Sequence, residues 1–348
     1  MVTRADVASM AGVSPAVVSY VINGGPRPVS AEARARVVAA IEALDYRPNA
    51  VASALRGGST RSIGLLMPSP TNPYFAELAD AIEDELFAAG NVLSVGITDD
   101  DATRERRYLR SLVDRRVDGI ILTSSRALAS VTEARIVQPP PILVIDRVDD
   151  DSGVSSVHVE NVLDAARAVD HLQSWGHRLI GCIAGPWPTP LSAERVRGWS
   201  EQQARIGAPN DLDLIAHAEF SAKGGAEGAR ALLGPDSRVR AKRGMRPTAL
   251  FVSSDAQAHG VLSECQELGL RVPQDVSIVS FDGTQSARFT SPTLTTMRQP
   301  VRALGSTAAK ILLRMGADPA AAPTSVVFRS NLVIGGSCAA PSTRAVDG

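Results

Sequence analysis

Residues 3–23, TRADVASMAGVSPAVVSYVIN, hold two short helical patterns separated by the turn Gly12-Val13-Ser14. Thr3 can cap the first helix, with Asp6 three residues on as its acidic capping-box partner. Val7, Ala8 and Ala11 then recur at helical spacing. Gly12 suits a left-handed helix stop, Ser14 caps the second helix, and Pro15 takes its first position, where a missing N–H costs nothing. Val17, Val18, Val21 and Ile22 supply apolar contacts and leave Ala16, Ser19, Tyr20 and Asn23 as small or polar positions. A third helix follows, capped by Ser30, with Val37, Val38, Ile41 and Leu44 as its expected buried stripe. Two helices about so tight a turn make a helix-turn-helix, whose second helix can enter a DNA major groove.

Charge is distributed to match. Residues 1–61 carry seven arginines against four acidic residues, a net of +3, so the remainder must carry −4 to give the chain its total of −1. A modestly basic head on an acidic body is the asymmetry that phosphate attraction favours. After the head, Tyr46-Arg47-Pro48-Asn49 ends the third helix, and Asn49 can cap the segment AVASALR at 50–56. Seven residues are too few for a helix stable in isolation. Gly57-Gly58-Ser59-Thr60 reads as a flexible joint.

From Ser62 the pattern becomes alternating strand and helix. Apolar runs at 63–67, 92–97, 119–122 and 142–145 are interleaved with helical stretches at 75–89 and 104–115. A second series opens at 179–183 and continues with helices at 193–206, 224–233 and 256–268 and strands at 249–253 and 276–281. Such alternation gives parallel sheets with helices on both faces, and two series suggest two doubly wound lobes. Ligands in these sheets bind outside the carboxyl ends of the strands, so facing lobes make a cleft. The strand ends point to Ser69, Ser124, Asp146, Arg147, the segment Gly185–Trp187, Asp255 and Asp282 as cleft residues. Residues 234–247 read as a basic surface loop and 338–348 as a frayed tail.

Several function classes lose support. With 348 residues and 44% hydrophobic content, the chain can build a small head and a two-lobed body. No stretch approaches the roughly 18 apolar residues of a membrane helix, and no apolar signal region opens the chain. Cys182, Cys265 and Cys338 form no metal spacing and leave an odd thiol, as expected of a reducing cytoplasm. No Gly-rich phosphate loop, nucleophile elbow or HExxH zinc motif occurs, and the five histidines lack ligand spacing. The expectation is therefore a non-enzyme with no cofactor and no metal. A secreted solute-binding protein could share the body but not the head.

The ordered fragments DVASMAGVSPAVVSYVIN, VSAEARARVVAAIEALDYRPNAVASALR, RSIGLLMP, NPYFAEL, RRVDGIIL, ILVIDR, SAERVRGW, FVSSDAQAHG, VSIVSFDG and SPTLTTMRQP span nearly the whole chain. Together they resemble the lactose-repressor/galactose-repressor family of bacterial transcription regulators. The resemblance implies a helix-turn-helix head over 1–47, a hinge helix and linker over 48–61, and a two-lobed, periplasmic-binding-protein-like body over 62–337 with doubly wound parallel sheets. Chain crossings between lobes are implied near residues 160, 292 and 324. It also implies a homodimer on a pseudo-palindromic operator, with a small effector, a sugar or sugar derivative, held in the cleft. A purine or nucleoside remains the alternative effector. No heptad run follows residue 330, so a dimer is expected over a coiled-coil tetramer.

By the same resemblance, DNA contacts fall to Thr3, Ser14, Pro15, Ala16, Val17, Ser19, Tyr20 and Asn23 in the head, with Arg27 and Arg34 near the backbone. Asn49, Ala50, Ser53, Leu55 and Arg56 fall in the hinge, where Leu55 matches an apolar wedge between two central base pairs. In the cleft, Arg195 matches the arginine that reaches a ligand oxygen and Asp255 the acid that accepts paired hydroxyls. Asp146 and Arg147 match polar contacts from the other lobe, and Phe75 the aromatic wall. Trp187, between two prolines, either stacks on a sugar ring or covers the edge of its lobe. The recognition helix departs from the family pattern. Pro15 and Ala16 lack side-chain hydrogen-bonding groups, so base readout leans on Tyr20 and Asn23, and Ala16 can touch a thymine methyl.

Overall fold

The computed structural model describes residues 2–23, 27–47, 59–123, 133, 139–145, 153–318 and 320–342. The chain divides into two compact units, residues 1–60 and 61–348.

The first unit contains helices α1 (Arg4–Ala11), α2 (Pro15–Asn23) and α3 (Ala31–Ala43). Local chemistry sets their limits. The capping box forms, with the Asp6 amide donating to Thr3 Oγ1 at 3.3 Å and the Thr3 amide donating to Asp6 Oδ2 at 2.8 Å. Gly12 stops α1 at φ 62°, a left-handed conformation that a Cβ would oppose. Val7, Ala8, Ala11, Val18, Val37, Ala40 and Tyr46 form the unit's own core. Val38, expected in that core, is 42% exposed. The helical period places 37, 40, 41 and 44 on one stripe and turns 38 about 100° away. Arg36 Nε donates to the Ala11 carbonyl at 3.1 Å, so α3 also satisfies the end of α1.

The second unit holds two six-stranded sheets. In the first, β1 (Ser62–Met67), β2 (Val92–Ile97), β3 (Gly119–Leu122), β4 (Ile142–Ile145), β5 (Ser155–Val159) and β11 (Ser325–Phe328) lie parallel in the order β11-β5-β4-β3-β1-β2. In the second, β6 (Ile180–Ala184), β7 (Ile215–His217), β8 (Ala249–Val252), β9 (Ser277–Asp282), β10 (Thr295–Arg298) and β12 (Asn331–Val333) run in the order β12-β10-β9-β8-β6-β7. Only β12 is antiparallel to its neighbour. Central strands are buried along their whole length, as in β3 and β9, because helices cover both faces. The sheets thus match the doubly wound, two-lobed architecture expected of the body.

Strand pairing moves two of the expected lobe crossings. The first falls after Val159, near the expected residue 160. The others fall after Arg298 and Phe328 rather than near 292 and 324. The basic segment 234–247 also contains a short helix, Arg238–Arg243, in which Lys242 pairs with Asp213 at 2.8 Å and Arg243 with Asp211. The expected tail is docked at its start, where the Ala339 carbonyl faces His177 Nε2 at 2.9 Å and its amide donates to Ser277 Oγ at 3.0 Å.

Candidate functional site

In the first unit, the turn and α2 present a continuous outer face. Ser14, Pro15 and Ala16 are exposed at the helix start, and Val17, Ser19 and Tyr20 are half-buried on the next turn. Val18, fully buried, anchors the opposite face. Thr3, Arg27 and Arg34 are exposed. A helix N-terminus with small residues at its tip can approach base edges closely, and its free amides favour phosphate. Asn23 ends α2, but its side chain lies outside the described set. The hinge candidates Asn49, Ala50, Ser53, Leu55 and Arg56 lie outside the described residues as well, as do Ser124, Asp146 and Arg147.

In the second unit, the carboxyl ends of both sheets border one trough. Its inner chamber encloses about 590 Å³ of empty space, its opening included, and is lined from the first lobe by Asn72, Tyr74, Phe75, Thr123 and His158. Asn161, Leu191, Arg195, Phe220, Ser254, Asp282 and Gln299 line it from the second. Among the sequence candidates, Phe75, Arg195 and Asp282 therefore meet here. Ser69 and Trp187 line an adjoining outer chamber of about 1460 Å³, again open at its mouth, together with Phe75.

Helix packing aims Arg195. It lies on α7 (Pro190–Arg205), which starts at the Thr189 cap and crosses α6 (Asn161–Ser174). At the crossing, a Cβ on Gly198 would strike the Val162 carbonyl, so only glycine lets the helices meet. That contact brings Asn161 to Arg195, whose Nε donates to Asn161 Oδ1 at 3.1 Å. Its Nη1 donates to the Ser253 carbonyl, and its guanidinium lies 3.8 Å from the Phe281 ring centroid. A fork fixed by three neighbours keeps its remaining donors in one direction, which suits recognition of a ligand oxygen.

Asp282 ends β9 with φ 104°, an uncommon conformation for a residue with a side chain. Its Oδ1 accepts from Gln299 Nε2 at 2.9 Å and sits 3.8 Å from Arg195 Nη1. Burial pushes its carboxyl up to about 7, against the pull of Arg195 and with Asp255 adding to the rise. An unfolded aspartate ionises near 3.8. Between those values the folded state binds the extra proton, so this group's contribution to stability falls as pH rises from about 4 to about 7 and levels off above. Asp282→Asn should remove that slope, measured by urea unfolding at pH 5, 6, 7 and 8. An unchanged slope would mean that Asp282 does not titrate in this window.

Asp255 was expected to accept ligand hydroxyls, but it lines neither chamber. It is fully buried at the first turn of α10 (Asp255–Glu267), where Ser254 rather than Asp255 caps the helix. Its Oδ1 accepts from Ser280 Oγ at 2.6 Å and Thr296 Oγ1 at 2.8 Å, and its Oδ2 from the Thr284 amide at 2.7 Å and hydroxyl at 2.9 Å. Four internal donors leave it no free direction. Burial raises its carboxyl, opposed by those donors. It ties β9, β10 and the turn after Asp282 together, and so positions the cleft without entering it.

Sequence reasoning missed Asn161, Gln299, Phe220, Tyr74, Asn72 and Thr123. Thr123 follows a strand end and obeys the same rule that found its neighbours. Asn161 and Gln299 sit at lobe crossings, whose positions no local pattern marks.

Two family models match the chain: one for bacterial regulatory proteins of the lacI family over residues 3–49, and one for a periplasmic binding protein-like domain over 169–338. The HTH-type transcriptional repressor PurR of Aliivibrio salmonicida is 33% identical over 318 residues, covering 90% of this chain and 92% of that protein. A crystal structure of the lac repressor dimer bound to operator and the anti-inducer ONPF superposes with a TM-score of 0.82 at 28% identity, covering 97% of this chain and 99% of that one. A complex of the transcriptional regulator CelR with cellobiose matches with a TM-score of 0.68 at 27% identity, covering 97% of this chain and all of its own. With a matched head, a relative of this identity across nearly its full length, and the same two-lobed body, the chain belongs to the lacI family of bacterial regulatory proteins.

Proposed function

We propose that this repressor binds a pseudo-palindromic operator as a homodimer and that a small ligand in the inter-lobe cleft sets its operator affinity. The observation that carries the ligand half is the buried Arg195–Asp282 pair on a floor of hydrogen-bonding groups, with Phe75 and Phe220 as apolar walls. A guanidinium fork and a carboxylate between aromatic walls are the chemistry of a hydroxyl-bearing ring, so a sugar or sugar derivative is the first reading. Likeness to repressors named PurR favours a purine or nucleoside as the second. On either reading the chain works in the cytoplasm as a regulator and not as an enzyme.

Two heads on a two-fold axis read two half-sites, and paired hinges meet over the operator centre. There Leu55 wedges into a base step, spending unstacking energy to bend the duplex and gain contacts. The ligand acts through different affinities for the DNA-competent and incompetent states. Leu55→Ala is the test of the DNA half. It should remove most of the bend seen by gel mobility and weaken operator binding about tenfold or more, in line with a few kcal/mol of lost intercalation. An unchanged bend and affinity would exclude the wedge.

A further inference from the structure

Two chambers in series make up the cleft, and they share Asn72, Phe75, Thr123, Leu191 and Phe220 as common walls. The inner one ends on Arg195 and Asp282, which suit one ring with hydroxyls. The outer one is larger and opens beside Trp187, whose side chain is 67% exposed. That exposure is unusual for the largest aromatic, which normally buries much of its area.

Trp187 is also held in place. The His217 ring lies 5.4 Å from it, centroid to centroid and tilted by 52°. His217 is itself fixed by Nδ1 facing the Gly185 carbonyl at 3.0 Å, so it carries its proton on Nδ1. Thr189 Oγ1 donates to the Pro186 carbonyl at 2.9 Å and closes the loop from the other side. A supported aromatic face beside an open chamber is a preformed platform for a second ring.

We infer that the effector has two units: a hydroxyl-bearing ring seated on Arg195 and Asp282, and a second ring lying in the outer chamber against Trp187. This rests on the reading of the cleft as the effector site. Disaccharides and nucleosides share this chemistry. A monosaccharide or a free base would leave the outer chamber and the Trp187 face unused. Among the described residues, the outer chamber's charged walls are Asp99, Asp100 and Glu219. Asp99 is paired with Arg104. Crowding by the walls, then the nearby Glu219 and Glu105, push the Asp100 carboxyl up to about 6. Such a rim suits an uncharged outer unit better than a phosphate.

The test is isothermal titration of the full-length protein with paired probes: glucose against cellobiose, maltose and trehalose, and hypoxanthine, guanine and ribose against inosine and guanosine. The sugar and nucleoside arms separate the two sources of a two-unit ligand. At least one two-unit probe should bind about tenfold or more tighter than its one-unit counterpart, since a stacked aromatic face and its buried area are worth that much. Trp187→Ala should collapse the difference, Trp187→Phe should keep part of it, and Arg195→Ala should abolish binding of every probe. One-unit binding as tight as any two-unit binding, abolished by Arg195→Ala and indifferent to Trp187→Ala, overturns this inference and leaves the cleft reading intact. Failure of every probe to bind the parent overturns both.

Discussion

Arg195→Ala is expected to destabilise the body by about 3–5 kcal/mol and to abolish its response to a cleft ligand, because it breaks a buried pair by removing one partner. The side chain is 3% exposed and Asp282 4%, so water cannot replace the lost charge. Three acceptors lose their donor at once: Asn161 Oδ1, the Ser253 carbonyl and the Asp282 carboxylate. The Asp282 carboxyl, already held near 7 by burial, should rise further and remain protonated through neutral pH. Urea unfolding reads the first effect. Ligand-induced thermal shift reads the second, since a ligand at 100 times its dissociation constant adds about 2.7 kcal/mol to a competent site. Arg195→Lys keeps the charge but loses the planar fork, and should recover part of the stability with little of the ligand response. A variant as stable and as responsive as the parent would remove Arg195 from the site.

Val18→Asp is expected to eliminate specific operator binding, a loss of about a thousandfold or more toward non-specific affinity, while leaving ligand binding intact. Val18 is fully buried in the small core it shares with Val7, Ala8, Ala11, Val37, Ala40 and Tyr46. A unit of this size has little apolar surface in reserve, and placing a carboxylate there forfeits burial and demands solvation. The core of the second unit contains none of these residues. Gel shift on operator DNA and thermal shift with a cleft ligand should therefore part company in this variant. Loss of both together, or of neither, would show that the two cores are not energetically separate.

The head was legible because its signals are local. The Thr3–Asp6 capping box, Gly12 at a left-handed stop and Pro15 at a first helical turn each act within four residues. The same holds for the apolar runs of β1, β3 and β9, which report burial on both faces whatever their neighbours are. Sheet membership is not local. Thr295–Arg298 reads as a short strand of uncertain allegiance, and only pairing with Val279–Asp282 assigns it to the second lobe. The later crossings therefore moved by a few residues.

The acids show the same limit at the level of one side chain. Asp255 and Asp282 both follow apolar runs and both sit at the ends of parallel strands. Sequence alone could not say which faces the ligand. The difference arises from backbone direction. Asp255 begins a helix that turns its carboxylate under β9 and β10 onto four donors, whereas Asp282 adopts φ 104° and turns toward Arg195. Phe220 follows the edge strand β7 and carries no motif, yet it lines both chambers.

The central claim is that occupancy of the cleft changes affinity for DNA. The direct measurement is the operator dissociation constant of the full-length protein by fluorescence anisotropy at one fixed salt concentration, with and without a saturating cleft ligand. A shift of about five- to 150-fold, absent in Arg195→Ala, is the expected result. The same dissociation constant in both conditions, with a ligand whose binding Arg195→Ala abolishes, would contradict the account.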